Sequence, residues 1–457
     1  MTAPRLVVVS NRVPLPTERG PRAGGLAVAL ADALRPGSLW FGWSGRRAAR
    51  PGAVPTELTG PDGIGYATID LSESDLRLYY AGFSNNVLWP LLHFRLGLVH
   101  YRTEEYHAWR AVSDRFAAAL AALLRPDDLI WVHDYHLIPL GEALRARGVT
   151  QRIGFFLHTP FPPPEVLRAL PRAEQVLASL AAYDVVGFHT EEFRQSFLRA
   201  TADILGLVPD PEGGIVLGGR RAATLVDPIG IDAAGFAAAA EAAAAGPDVR
   251  RLRASLAGRA LAIGVDRLDY SKGLPQRLDG FARLLARHPE HRRRVSFLQV
   301  AARSREDVAE YRALRVELDR IVGETIGHYS DFDWVPVRYL TRPLRRETLA
   351  GFYRAAALGV VTPLRDGMNL VAKEYVAAQD QENPGVLVLS RFAGAAAELD
   401  AALLVNPYDP DEIAAALHAG LTMRREERQA RHRDLAAAVF ASTAERFCTR
   451  FLAALAA

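Results

Sequence analysis

The sequence is poor in several residue types that would otherwise direct the reading. It has one cysteine, Cys448, in 457 residues. A single thiol excludes an intramolecular disulfide framework and a cysteine-ligated zinc cluster. No apolar run approaches the roughly 20 residues of a membrane-spanning helix. The N-terminal run Leu6-Val-Val-Val9 is too short for a signal-peptide core and reads as a first strand, so the expected location is the cytoplasm. Charge of one sign is equally scarce. Lys+Arg 55 against Asp+Glu 52 leaves +3, which gives no bulk reason to expect nucleic acid or a membrane surface as a partner. A Walker A loop, an HExxH zinc motif and a GxSxG nucleophile elbow are all missing from the sequence.

Lysine is the most informative scarcity. It occurs only at Lys272 and Lys373, so 53 of the 55 basic residues are arginine. Arginine is a planar fork, whereas lysine is a compact point charge on a flexible stem. A chain that uses arginine almost everywhere yet keeps lysine at two positions marks both as functional candidates, Lys272 foremost.

What remains is a globular composition, 49% hydrophobic and 23% charged. The length suits two domains of roughly 200 residues each. Short apolar, β-branched runs alternate with long Ala/Leu/Arg segments of helical period. The strand candidates are Leu6–Val9, Leu129–Val132, Ile153–Leu157, Val185–Phe188, Ala223–Val226, Leu261–Val265, Val295–Val300, Leu358–Val361 and Val386–Leu389. Continuous apolar runs of this kind suit strands covered on both faces, and the alternation with helices gives an α/β class with parallel sheets. Asp227-Pro-Ile-Gly230 ends one strand, and Phe236–Gly246 is an Ala-rich stretch closing in Gly-Pro. The expected organisation is two doubly wound, Rossmann-like domains, 1–235 and 236–440, with a final helix over 441–457 packing back on the first. Ligands of such sheets bind at the carboxyl ends of strands, which places them in a cleft between the domains.

Those strand ends carry the polar residues that could do chemistry. The first strand runs into Ser10-Asn11-Arg12 and, after a Pro-rich loop, into Gly24-Gly25 at a helix start. Paired glycines let backbone N–H groups approach an anion, and Arg12 can grip a phosphate with two hydrogen bonds. The run Leu129-Ile-Trp-Val-His133-Asp134-Tyr135-His136 ends a buried strand in polar groups. Successive side chains alternate in direction, so His133, Asp134 and His136 cannot converge on one metal. Asp134 is kept as a hydrogen-bonding group for sugar-like hydroxyls. His158 ends the next strand at the same sheet edge. In the second half Arg267 and Lys272 follow a strand five residues apart and precede a helix, a pairing suited to a departing diphosphate. Asp366-Gly367-Met-Asn369-Leu370 forms a Gly turn into a further helix, whose N-terminus offers free N–H groups to phosphate oxygens. Glu374, about one turn inside, can accept from ribose hydroxyls, and Lys373 can pair with an acidic neighbour. Asp366 also suits the cap of that helix. Asp331-Phe-Asp333 resembles a metal-binding Asp-x-Asp, but no apolar strand precedes it. A glycosidase using Asp134 with Asp366 or Glu374 would need two carboxylates from different domains at a fixed separation, which is the poorer reading.

Taken together, these segments resemble the trehalose-6-phosphate synthases. Ser10-Asn-Arg12, Ala23-Gly-Gly-Leu-Ala-Val28, Leu39–Gly45, Phe83-Ser-Asn, Val87-Leu-Trp-Pro90, Trp131–His136, Gly154–His158, Arg267–Gly273 and Pro363–Asp380 match in order, from Val7 to about Asp409. The resemblance implies a GT-B fold and metal-independent, retaining transfer of glucose from a nucleotide diphosphate to glucose 6-phosphate. It places the acceptor on Arg12, Tyr80, Trp89, Asp134 and Arg305. It places the donor on Gly24, Gly25, His158, Arg267, Lys272, Asp366 and Glu374. Asn369, Leu370 and the helix start through Val371, Ala372 and Lys373 would add backbone contacts, and Val300 and Leu344 would flank the base. Catalysis would rest on Asp134, His158, Arg267, Lys272, Asp366 and Glu374. Thr159 stands where the family often has an apolar residue and, with Trp89, bears on acceptor anomer selectivity. Leu344 stands where an aromatic can occur, so UDP-glucose is the first expectation and GDP-glucose the second. No cofactor is expected, and a homo-oligomer, dimer or tetramer, is. The rival readings are a pseudo-glycosyltransferase coupling cyclitols and a non-catalytic glucose 6-phosphate sensor. Intact acceptor motifs oppose the first, and a built leaving-group site opposes the second.

Overall fold

The computed structural model describes residues 4–18, 30, 34–50, 52, 54–303 and 308–457. The chain divides into two compact units, Met1–Pro228 with Glu445–Ala457, and Ile229–Ala444. The boundaries therefore fall at 228 and 444 rather than at 235 and 440. Among the described residues no helix is long and apolar enough to cross a membrane.

The first unit is built on a nine-stranded sheet. Its strands are β1 (Leu6–Arg12), β2 (Leu39–Ala48), β3 (Thr56–Thr59), β4 (Gly65–Ser72), β5 (Leu129–His133), β6 (Arg152–Phe156), β7 (Val185–Phe188), β8 (Ile215–Leu217) and β9 (Arg220–Val226). They lie in the order β3-β4-β2-β1-β5-β6-β7-β9-β8. Among the described residues, only the edge pairs β3·β4 and β8·β9 of this sheet are antiparallel. Val7, Val8 and Val9 of β1 have no exposure, because the strand is flanked by β2 and β5 and covered on both faces. β2 and β4 were not expected as strands. They carry Gly, Ser, Thr and Asp among their apolar residues, so no continuous run announces them. Helix α1 (Thr103–Ala121) packs its Trp109, Val112 and Phe116 inward.

The second unit holds a six-stranded, all-parallel sheet of β10 (Ala260–Arg267), β11 (Val295–Ala302), β12 (Val337–Leu340), β13 (Leu358–Val361), β14 (Val386–Ser390) and β15 (Leu403–Val405). The order is β12-β11-β10-β13-β14-β15. The Ala-rich stretch Phe236–Gly246 falls largely within helix α2 (Ala233–Ala243). Alanine is the strongest helix former, and its small side chain lets α2 pack closely. Phe236 is buried there, 6.2 Å from the Tyr353 ring and beneath Arg346. The helices that matter below are α3 (Leu274–Arg287), α4 (Arg346–Ala355), α5 (Leu370–Ala378) and α6 (Pro410–Thr422).

The chain closes with α7 (Ala444–Ala456), which belongs to the first unit from Glu445 onward. Phe451 has no exposure and stacks on Trp131 of β5 at 4.6 Å and 12°. A Cβ at Gly154 or Gly187 would come within 2.6 Å or 2.8 Å of the Phe451 ring. Glycines on two neighbouring strands thus open the slot that this ring fills.

Candidate active site

Each sheet has one place where the chain leaves a strand in opposite directions. In the first unit it is β1, flanked by β2 and β5. In the second it is β10, flanked by β11 and β13. Loops diverge there and leave a crevice at the carboxyl edge of the sheet. Arg12, Asp134 and His158 lie at or just beyond the ends of β1, β5 and β6, and Arg267, Lys272 and Asp366 at or beyond the ends of β10 and β13.

In the first unit Asp134 leaves β5 with φ 72° and ψ 164°, a conformation that a non-glycine residue adopts only at a cost. Its N–H donates to Phe156 O at 2.9 Å, and its Oδ1 accepts from the His158 N–H at 3.2 Å. The two sequence-chosen residues are therefore joined. His158 is bonded through Nε2 to His133 Nδ1 at 3.0 Å. Burial pushes the His158 imidazole down to about 3. Burial, and then the neighbouring His158, also push His133 well down. Both rings are held neutral at pH 7, so His158 brings no charge to the end of its strand and is left with hydrogen bonding as its polar capacity. Thr159 is buried beside it, and its Oγ1 has no hydrogen-bond partner among the described residues.

Tyr80 lies on a wide-wound helical segment, Leu76–Leu88, broken at Gly82. Its ring stacks on His136 at 5.9 Å and 10°. Trp89 is buried, 5.6 Å from the Tyr135 ring. The same short segment after Asp134 therefore meets both aromatic candidates. Arg12 is half exposed, with Nη2 3.2 Å from Glu18 Oε2. Its neighbour Asn11 accepts from Tyr79 Oη at 2.5 Å, which ties the end of β1 to the Tyr80 segment.

In the second unit Lys272 Nζ lies 2.6 Å from Asp366 Oδ2, with both side chains nearly buried. Asn369 Nδ2 donates to the same oxygen at 3.0 Å. Asp366 is therefore not the cap of α5, as one reading of the sequence had it. Asn369 holds that position with φ 78°, and among the described residues no side chain caps the first turn. The N–H groups at Leu370 and Val371, with Ala372 following, begin that turn, where anions bind. Arg267 is exposed at the end of β10. Glu374 is half-buried on α5, and desolvation, outweighing the attraction of Arg346, pushes its carboxyl up to about 7. Val300 is buried on β11. Leu344 lines a groove with Leu298, Leu340 and Phe352.

Lys373 pairs with an acidic neighbour, as its sequence context allowed. Its side chain has no exposure, and Nζ bonds Ile229 O at 2.8 Å, Ser442 Oγ at 3.1 Å and Glu398 Oε2 at 2.7 Å. The ammonium holds the second unit together and offers a donor nothing beyond its backbone. Gly24, Gly25 and Arg305 lie outside the described residues.

The sequence reading missed Arg277. This guanidinium is fully buried and bonds Asp266 Oδ2 at 2.6 Å, Thr362 Oγ1 at 3.0 Å, Gln299 Oε1 at 3.2 Å and the Lys272 carbonyl at 3.3 Å. It locks β10, β11, β13 and the Lys272 turn together. Burial raises the Asp266 carboxyl, while Arg277 and then Lys272 draw it back down. A signal was present: Arg277 stands on the apolar stripe of α3 with Leu274, Leu278, Phe281 and Leu285.

A sequence profile for Glycosyltransferase family 20 matches residues 4–457. The chain belongs to glycosyltransferase family 20. It is 47% identical over 456 residues to the trehalose-6-phosphate synthase of Sinorhizobium fredii, covering 98% of this chain and 97% of that one. Its structure is similar, at a TM-score of 0.96 and 45% identity, to an α,α-trehalose-phosphate synthase (UDP-forming) from Burkholderia xenovorans in complex with glucose-6-phosphate, covering 99% of this chain and 100% of that one. An Escherichia coli structure bound with UDP-2-fluoro glucose matches at a TM-score of 0.93 and 44% identity, over 99% and 98% of the two chains. The α/β, GT-B class expected from the sequence is the class of these family 20 structures.

Proposed function

We propose that the chain is a retaining α,α-trehalose-phosphate synthase that transfers glucose from UDP-glucose to glucose 6-phosphate. The observation that carries this is the Lys272–Asp366–Asn369 cluster at the switch point of the second sheet, beside the uncapped first turn of α5. Charge develops on the outgoing diphosphate as the glucosyl C1–O bond breaks. Preorganised cations and N–H groups stabilise that charge best where water is excluded. Lys272 and Arg267 supply the cations, and the α5 N-terminus supplies the N–H groups. No metal ion is invoked. Glu374 accepts from the ribose hydroxyls, and Val300 and Leu344 flank the base.

On the first unit, Arg12 grips the 6-phosphate of the acceptor and Asp134 accepts from its hydroxyls. Tyr80 and Trp89 shape the pocket around Tyr135 and His136. Likeness to the family adds Arg305 to the acceptor phosphate and Gly24 and Gly25 to the donor. His158, held neutral, bonds a hydroxyl of the donor glucose. No carboxylate is assigned as a nucleophile, so retention follows from attack on the face the diphosphate leaves. In this step the acceptor O1–C1 bond forms, the C1–O bond to phosphate breaks, and the acceptor hydroxyl proton passes to the leaving phosphate oxygen. The products are trehalose 6-phosphate and UDP.

The test is incubation of the purified protein with UDP-glucose or GDP-glucose and glucose 6-phosphate, with the product resolved by NMR. The expected outcome is nucleotide release matched by an α,α-linked, non-reducing disaccharide phosphate, with higher kcat/KM for the UDP donor. Binding of both substrates without turnover would instead support a sensor.

A further inference from the structure

Several acceptor groups of the first unit converge on one short stretch of chain. Leu76–Leu88 carries Tyr80, runs straight into Trp89, and is tied by Tyr79 to Asn11, the neighbour of Arg12. The stretch is broken at Gly82, which has ψ −105°. A Cβ at Gly82 would stand 2.9 Å from Glu105 Cγ and 3.1 Å from Arg77 O, so the break is pressed against α1. Asn85 closes back across it. Its Nδ2 donates to Tyr80 O at 2.7 Å, and its Oδ1 accepts from Tyr135 Oη at 2.9 Å. A carbonyl oxygen can only accept, so the Nδ2 side must face Tyr80 and the orientation of the amide is fixed. Asn85 is 2% exposed and Tyr135 1%. Bonds shielded from water in this way are costly to break, because the partners are left unsatisfied.

The far end of this brace is equally constrained. Tyr135 follows Asp134, whose φ of 72° persists only where the surroundings over-determine it. The Tyr135 ring lies 5.6 Å from Trp89 and 3.9 Å from His136, and His136 in turn stacks on Tyr80 at 5.9 Å. One buried amide, engaged at both ends, thus joins the backbone of Tyr80 to the residue beside Asp134. A displacement on either side is passed to the other through two hydrogen bonds and the packed rings.

We infer that Asn85 is a positioning residue for acceptor recognition, an assignment that rests on glucose 6-phosphate being the acceptor. Its amide fixes the spacing between the Arg12 and Tyr80 side, which takes the phosphate, and the Asp134 turn, which takes the hydroxyls. That spacing selects a hexose whose phosphate lies at the far end of the molecule from the attacking hydroxyl.

The test uses the whole chain and the variants Asn85→Ala and Tyr135→Phe. Tyr135→Phe removes one oxygen and keeps the ring, so it is decisive even where Asn85→Ala fails to fold. Glucose 6-phosphate is titrated by calorimetry in the presence of UDP, UDP is titrated alone, and steady-state kinetics are measured for both substrates. Each variant should bind glucose 6-phosphate about five- to thirtyfold more weakly, the range for leaving buried hydrogen-bond partners unsatisfied, with UDP affinity unchanged. Acceptor KM should rise more than kcat falls. Because both bonds share one amide, the double variant should bind no more weakly than Asn85→Ala alone. A residue serving stability alone would lower the melting temperature and leave the acceptor affinity of the folded protein intact. Unchanged affinity in folded Tyr135→Phe, equal losses for UDP and glucose 6-phosphate, or losses that multiply in the double variant overturn the inference. Wild-type binding without turnover overturns the transfer reading alone, since the affinities still decide the role of Asn85. Absence of wild-type binding of glucose 6-phosphate overturns both.

Discussion

At the scale of single residues, the reading turns on how burial sets charge. Lys272 is one of two lysines in an arginine-rich chain, and its ammonium is held at 2.6 Å by Asp366. Lys272→Ala should lower kcat by about 10²–10³-fold, the cost of removing one preorganised stabilising group, with the circular dichroism spectrum unchanged. Glu374 gives a pH prediction. Its carboxyl is pushed up from 4.5 to about 7 in the folded chain. A carboxylate must be ionised to accept both ribose hydroxyls, so kcat/KM for the donor should fall with unit slope below about pH 7. The same shift acts on stability. As pH rises from 4.5 to about 7 the unfolded chain releases a proton that the folded chain keeps, so folding stability declines across that window. Glu374→Gln should therefore melt higher than wild type at pH 8, lose the acid limb of the donor profile and bind donor more weakly. Lys272 was legible because composition marked it. Arg277 was harder to read, because one arginine among 53 carries no compositional signal and its place on the apolar stripe of α3 was the one local clue.

At the scale of elements, the turn from β10 into α3 sets the position of Lys272. Gly273 has φ +63°, and a Cβ there would lie 2.3 Å from Thr362 O. Gly273→Ala therefore meets both backbone strain and a clash with the end of β13. The expected result is a lowered melting temperature and a loss of kcat larger than the loss of donor affinity, measured by steady-state kinetics beside calorimetric binding. An unchanged kcat would show that Lys272 tolerates movement of its turn. Continuous apolar runs made β1, β5, β6 and β10 readable. β2 and β4 escaped because their pairing, and not their composition, makes them strands. The Ala-rich segment of α2 shows little amphipathic contrast, because alanine gives neither face a strong character, yet Phe236 anchors it.

At the scale of the whole molecule, α7 completes the core of the unit at the other end of the sequence. Phe451 fills the slot over Gly154 and Gly187 and stacks on Trp131. Phe451→Ala should cost about 3–5 kcal/mol, the range for emptying an aromatic site in a packed core. Denaturant unfolding checks this, and a loss under 1 kcal/mol would mean that the slot collapses without the ring. The damage should be felt at β5 and β6, whose ends carry Asp134 and His158. Circular dichroism and acceptor KM would then move together, unlike the Lys272→Ala case.

The sequence by itself determined the α/β class, the central strands and the polar residues at their ends, because apolar runs and their punctuation are local properties. It also determined family membership, since an ordered set of motifs survives as a linear pattern. Tertiary structure decided which of those residues meet. The Lys272–Asp366 pair spans 94 positions and the Arg152–Leu455 bond spans 303, separations that no local pattern encodes. It also decided that Lys373 is a structural tie, that Arg277 is an anchor, and that Asn85 joins Tyr80 to Tyr135. These outcomes depend on burial and on packing between distant segments, which exist only once the chain is folded.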